Sequence, residues 1–213
     1  MTAGTAAPSV DPDAAGGPRR RRLEPDARRE QILECAVQLF GERPYAAVST
    51  TDIARAAGVA RGLLNHYFGT KRELYLEVVR TLVTITDLPG ADVQLTGPLR
   101  ERVERSVDWF LDTVGAHART FVAVTGAEGV GADPEIERIL AAADDAAARR
   151  VLELVGLPAE RAEHRAVIRA YGGLVKAAMR EWVRDGSLER ADVRRLLARV
   201  LETIVRDVLP DPA

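Results

Sequence analysis

The twenty residues TTDIARAAGVARGLLNHYFG, positions 50–69, constrain this chain more than any other stretch. Two short helices crossing at a tight turn demand particular residue types at fixed steps. Ile53, Ala57, Val59, Leu64 and Tyr67 fall where such a pair buries its contacts. Ala54 falls where the two helices approach closest, and a larger side chain there would push them apart. Gly58 occupies the turn, where a left-handed backbone suits glycine. These offsets agree with one another and imply a helix-turn-helix. An ordinary helical hairpin is the alternative they leave.

The flanks supply the remaining supports. Upstream, Ile32, Leu33, Ala36, Leu39 and Phe40 recur at helical spacing from Asp26 onward, and Gly41 and Pro44 are expected to stop that helix. Cys35 lies within it as a small apolar filler. Ser49 with Asp52 forms a box-like cap for a helix over 50–57. A second short helix is expected over 60–68. Thr70 with Glu73 is a T-x-x-E capping box opening a longer helix from 71 to about 86.

Pro89, Gly90, Gly97 and Pro98 then interrupt the pattern, and a domain boundary is expected near residue 90. Helical periodicity resumes over 99–115 and 117–127. Asp133-Pro134 reads as a cap followed by proline in the first turn, opening a helix that runs to 155. Two more are expected over 159–185, ending at Gly186, and 189–208, ending at Pro210. No strand pattern appears. The expected fold is all-α: an N-terminal three-helix helix-turn-helix domain (25–88), then a C-terminal helical bundle that dimerises (89–213). Residues 1–24, rich in small residues, proline and glycine, read as a disordered tail. The four arginines at 19–22 that end it are either a solvated charge run or an arm for a nucleic-acid backbone or minor groove.

Charge distribution fits a nucleic-acid module joined to a second domain. Residues 19–80 hold 12 Lys/Arg against 8 Asp/Glu, whereas residues 81–213 hold 18 against 22. A single cysteine excludes an internal disulfide and a cysteine zinc site. The three histidines make no metal motif, so no metal and no cofactor is expected. No apolar run approaches the ~20 residues of a membrane span, and the N-terminus has no secretory apolar core. A cytoplasmic protein that makes no membrane contact is expected.

The segment VSTTDIARAAGVARGLLNHYFGTKRELYLEVV resembles the DNA-binding region of the TetR family of bacterial repressors. The H-Y-F-x-x-K-x-x-L run of His66, Tyr67, Phe68, Lys71 and Leu74 carries most of the likeness, which covers about residues 27–80. The resemblance implies a homodimer that binds a palindromic operator in double-stranded DNA and leaves it when a small-molecule effector, here unknown, enters the C-terminal domain. Carried over position by position, it puts Thr50 and Thr51 at a phosphate, with Arg61, Gly62, Leu63, Asn65 and His66 on or beside the recognition helix. Tyr67 and Lys71 then clamp phosphates, Lys71 at a helix N-terminus whose dipole favours the same anion. Three positions depart from the family pattern: Leu63 stands where threonine is common, Asn65 where tyrosine is common, and Ala60 where a capping serine is common. Leu63 is left with a thymine methyl to touch, Asn65 is suited to adenine, and Arg61 to guanine or a phosphate. His66 is either a DNA contact or a surface residue beside the motif. Phe68 and Leu74 read as core.

The last two helices carry wide apolar stripes: Val167, Ile168, Tyr171, Leu174, Val175, Ala178 and Trp182, then Val193, Leu196, Leu197, Val200, Leu201, Ile204, Val205 and Val208. Helices apolar over so much of their surface are buried on more than one side. A two-fold four-helix interface or a thicker monomeric core would each satisfy this, and the resemblance favours the dimer. Trp109, Phe110, Thr113, His117, Phe121, Tyr171, Met179 and Trp182 are the candidates for an effector pocket, each with plain core packing as its alternative. His164, amid charges, reads as a surface residue. Two further readings stay open: a DNA-binding protein without an effector, and an enzyme with a site in the C-terminal domain. No catalytic motif supports the second, and a non-enzyme is expected.

Overall fold

A computed structural model of the chain describes residues 24–83, 97–126 and 133–209. Among these residues every regular element is helical. The N-terminal domain comprises α1 (Pro25–Glu42), a 3₁₀ turn (Tyr45–Ala47), α2 (Thr50–Ala56), α3 (Arg61–Phe68) and α4 (Lys71–Val83). The C-terminal domain comprises α5 (Leu99–Gly115), α6 (Ala118–Thr125), α7 (Pro134–Val155), α8 (Ala162–Val183) and α9 (Arg190–Thr203). A widened π turn, Ile204–Val208, continues α9. The expected boundary near residue 90, the tail over 1–23 and the stop at Pro210 lie outside the described residues.

Both predicted capping boxes form. The Ser49 hydroxyl accepts from the Asp52 N–H at 3.1 Å while the Asp52 carboxylate accepts from the Ser49 N–H at 3.1 Å. Thr70 and Glu73 make the same reciprocal pair at 3.2 and 2.7 Å. These bonds satisfy amide donors that a helix start leaves without partners. Gly58 takes φ 62° between α2 and α3 with no crowding around it, so backbone conformation rather than space selects glycine there. Ala60 precedes α3 with no side-chain cap, as expected from the missing serine.

One expected stop is wrong in detail. The chain stays helical through Gly41, and α1 ends only where Pro44 forces Arg43 into extended backbone (φ −137°, ψ 145°). Gly41 serves packing instead. A Cβ there would lie 2.3 Å from Thr120 Oγ1 and 3.0 Å from the Thr120 backbone nitrogen. The lack of a side chain lets α1 and α6 approach, and across this contact the buried Thr120 hydroxyl donates to the Val37 carbonyl at 2.9 Å. Gly41→Ala is therefore expected to lower stability by about 1–3 kcal/mol through overpacking, although alanine favours the helix by up to ~1 kcal/mol. A thermal melt checks it: a raised melting midpoint would show that propensity outweighs the clash.

The two cores interlock. Ile32, Ala36 and Phe40 of α1 pack with Val48, Ile53, Ala57, Leu64, Phe68 and the α4 residues Leu74 and Val78, and this cluster also takes in Val124 of α6 and Ile136 of α7. α4 buries six residues in thirteen, too many for one face, because it is packed by both domains. The second core joins Val107 and Leu111 of α5, Leu152 of α7, Ile168 and Met179 of α8, and Leu197 and Leu201 of α9. The Tyr171 hydroxyl donates to the Leu197 carbonyl at 3.0 Å and ties α8 to α9. α8 begins later than expected, because residues 159–161 form a turn held by the Arg165 guanidinium on the Ala159 and Glu160 carbonyls. His164 corrects the sequence reading: it is buried, at 4 % exposure, and its Nδ1 finds no partner among the described residues.

Candidate nucleic-acid interface and internal cavity

α3 is pinned from one side. Leu64 and Phe68, four residues apart, lie in the core, so the opposite face is held outward. That face presents Arg61, Gly62, Leu63, Asn65 and His66, all exposed. Leu63 is an exposed large apolar residue in the middle of a polar surface, which core packing does not explain. Thr51 is exposed at the start of α2, and Thr50 is half-buried beside it. Tyr67 is half-buried, its ring 5.6 Å from that of His66.

Lys71 sits at the start of α4, yet its ammonium turns inward. It donates to the Tyr45 carbonyl at 2.5 Å and lies 4.0 Å from the Tyr45 ring centroid. Partial burial holds its pKa below the usual lysine value. Sequence reasoning missed Tyr45, which anchors this lysine and stacks on Phe40. Nothing in its local pattern announces a contact 26 residues away.

The head is fastened to the body by a second set of bonds, at the start of α7. The Arg72 guanidinium grips both Asp133 oxygens, at 2.8 and 3.0 Å, and reaches Glu135 at 3.0 Å. Arg80 meets Glu135 at 2.9 Å. Asp133 also caps α7, accepting from the Glu135 N–H at 2.9 Å. The Arg72 pairing, followed by the capping bond, lowers the Asp133 pKa from 3.8 to about 2. A depressed carboxylate pKa stabilises the fold above the unfolded value and loses that effect as pH falls through the folded one. Wild type should thus melt above Asp133→Asn at neutral pH, asparagine retaining the cap, and the gap should close between about pH 4 and pH 2. Melts across that range test this; a gap independent of pH would remove the charge from the account.

The body carries a half-open cavity of about 480 Å³ walled mainly by α5, α7, α8 and α9. Four of the predicted pocket residues line it: Trp109, Phe110, Phe121 and Tyr171. The other four do not. Met179 is fully buried in the core, Trp182 and Thr113 are half-buried elsewhere, and His117 is exposed at the start of α6. The missed wall is α7, through Ala143, Ala147 and Val151, facing Gly172 of α8. A hollow is made by small residues, and a search for large aromatics cannot see it. Leu82 and Val83, the last described residues of α4, also line it. An occupant would therefore touch the helix whose other end follows the recognition helix. Among the described residues no metal-binding group of side chains exists and no helix is long and apolar enough to cross a membrane. Burial first, then Glu34, raises the Cys35 pKa, which keeps the thiol protonated and a poor nucleophile.

Comparison with known proteins agrees with this anatomy at both ends. The family model for bacterial regulatory proteins of the tetR family matches residues 32–78. A second, described as a tetracyclin repressor-like C-terminal domain, matches residues 99–204. The chain is 30% identical over 160 residues to the HTH-type transcriptional activator FasR of Mycolicibacterium smegmatis, covering 74% of this chain and 73% of that one. It is 37% identical over 87 residues to the HTH-type transcriptional regulator BetI of Agrobacterium fabrum, covering 40% and 41%. Among solved structures, a tetR-family transcriptional regulator from Streptomyces coelicolor superposes with a TM-score of 0.72 at 24% identity, over 88% of this chain and 85% of that one. The regulator FadR of Bacillus subtilis, solved with stearoyl-CoA, gives 0.63 at 19% identity, over 83% and 97%.

Proposed function

The chain belongs to the tetR family of bacterial regulatory proteins, and from that premise we propose that it acts as a dimeric repressor that a small-molecule effector releases from a palindromic operator. One observation carries the reading: α4 joins the outward-facing α3 at one end to the wall of the body's cavity at the other. The DNA-reading residues are Arg61, Gly62, Leu63, Asn65 and His66, with Thr50, Thr51, Tyr67 and Lys71 on the backbone. The exposure of the five α3 residues and Thr51 around a buried Leu64–Phe68 edge supports this assignment.

Dimerisation is assigned to α8 and α9. Leu196 and Val208 stay 36% and 55% exposed in the single chain, beside half-buried Leu174, Val200 and Ile204. A second copy laid across these helices covers them. Two recognition helices must then enter successive major grooves, about 34–36 Å apart. An effector filling the cavity presses on Leu82 and Val83. If it binds better when the heads are misplaced, it shifts the population away from DNA. The domain division follows the same logic, residues 25–88 reading DNA and 89–213 taking effector and partner.

Selection from random duplex DNA by the purified chain tests the reading. An enriched inverted repeat is expected, with half-site centres one helical turn or a multiple apart. Retention that is independent of sequence and lost in salt would contradict it.

A further inference from the structure

The core holds one edge of α3, and the turn of the helix fixes what lies on the rest of it. At about 3.6 residues per turn, positions 62 and 66 lie directly opposite the buried pair Leu64 and Phe68. Arg61 and Asn65, four residues apart, share one flank of this outer face, and Leu63 and Tyr67 share the other. The first flank carries hydrogen-bonding groups. The second carries an apolar side chain bordered by an aromatic ring, which lies 5.6 Å from the ring of His66.

Folding does not account for this second flank. Leu63 stays 36% exposed, and leucine has neither a donor nor an acceptor with which to read a base edge. It gains from contact only where apolar surface covers it. In the major groove that surface is the methyl group on C5 of a pyrimidine. Gly62, next to it, leaves the approach open. A Cβ at 62 would meet nothing within 4 Å, so nothing in the chain requires glycine there. The missing side chain lets a base edge come close to the helix backbone beside Leu63.

We infer that Leu63 reads the C5-methyl group itself and accepts 5-methylcytosine as it accepts thymine, so that operator binding responds to cytosine methylation. This rests on the assignment of α3 as the DNA-reading helix and adds a second input to the same site. Thymine and 5-methylcytosine carry the methyl at the same ring position. They differ at C4, a carbonyl in one and an amino group in the other. Leucine bonds to neither group and responds to the methyl alone. Asn65, on the opposite flank, supplies base identity through its amide. Covering one methyl group adds about 4-fold in affinity, and about 15-fold when both half-sites gain it.

Titration of the full chain with duplexes carrying the enriched inverted repeat tests the inference. Deoxyuridine lacks only the methyl of thymine. Placed at one symmetric pair of thymine positions, it is expected to weaken binding about 15-fold, and to leave binding nearly unchanged at the others. With cytosine at that sensitive pair, methylating its C5 should strengthen binding by the same factor. Leu63→Ala, at an exposed position where alanine favours the helix, should erase both methyl effects and keep the preference at the position that Asn65 reads. A methyl effect undiminished in Leu63→Ala would come from DNA shape rather than contact, and would overturn the inference. So would a repeat indifferent to deoxyuridine at every position, or a response to the methyl of thymine without one to that of 5-methylcytosine. If no repeat is enriched at all, the operator reading falls and this inference falls with it. If the repeat is bound but its methyl groups do not matter, the inference alone falls.

Discussion

Arg61→Ala and Asn65→Ala should each weaken operator binding by roughly 1–3 kcal/mol, about 5- to 150-fold, without moving the melting midpoint. Both side chains are exposed on α3, so truncating them removes no core contact. Asparagine matches the donor–acceptor edge of adenine, and arginine that of guanine. The two substitutions also diagnose themselves. Loss of a base contact relaxes preference at one position of each half-site. Loss of a phosphate contact weakens all sequences alike and reduces the salt slope by about 1. Titration of labelled duplex at several salt concentrations separates these. If affinity for selected duplexes were unchanged by both substitutions, α3 would not be the reading surface.

Leu64→Ala is the opposite experiment one residue away. Leu64 is fully buried in the N-terminal core, with Ile53, Ala57 and Phe68 in the same cluster. Removing it should cost about 2–5 kcal/mol, the lost transfer energy plus the cavity left behind. That is a large part of the stability of a typical domain. Operator binding should fall with the folded fraction and recover on cooling toward the stability maximum. A thermal melt followed by circular dichroism reads the loss. A shift below about 1 kcal/mol would mean that α2 and α3 do not depend on this contact for their packing. Side by side, positions 61, 64 and 65 separate reading DNA from holding the reader in place.

The helix-turn-helix was legible because its constraints are local. Ile53, Ala57, Gly58 and Leu64 act over a dozen residues, and the capping boxes at Ser49 and Thr70 over three. The body cavity proposed for the effector was half legible. Aromatic residues at helical spacing pointed to Trp109, Phe110, Phe121 and Tyr171, but the α7 wall is set by Ala143 and Ala147, which any exposed helix face also carries. Contacts far apart in sequence were hidden altogether: Arg72 to Asp133, Lys71 to Tyr45, Thr120 to Val37. Gly41 shows the limit well. Its residue type suggested a helix stop, and only the approach of α6 gives its reason. His164 misled in the other direction, because flanking charges imply exposure while its own face of α8 turns inward.

The most direct test of the central claim, that α3 reads base sequence twice over in a two-fold dimer, is to repeat the duplex selection with Asn65→Ala and compare the enriched sequences with those of wild type. The account predicts an inverted repeat in both cases, with preference lost at a single position in each half-site and the two positions related by the repeat's own symmetry. An enriched sequence identical to that of wild type, or a change confined to one half-site, would contradict it.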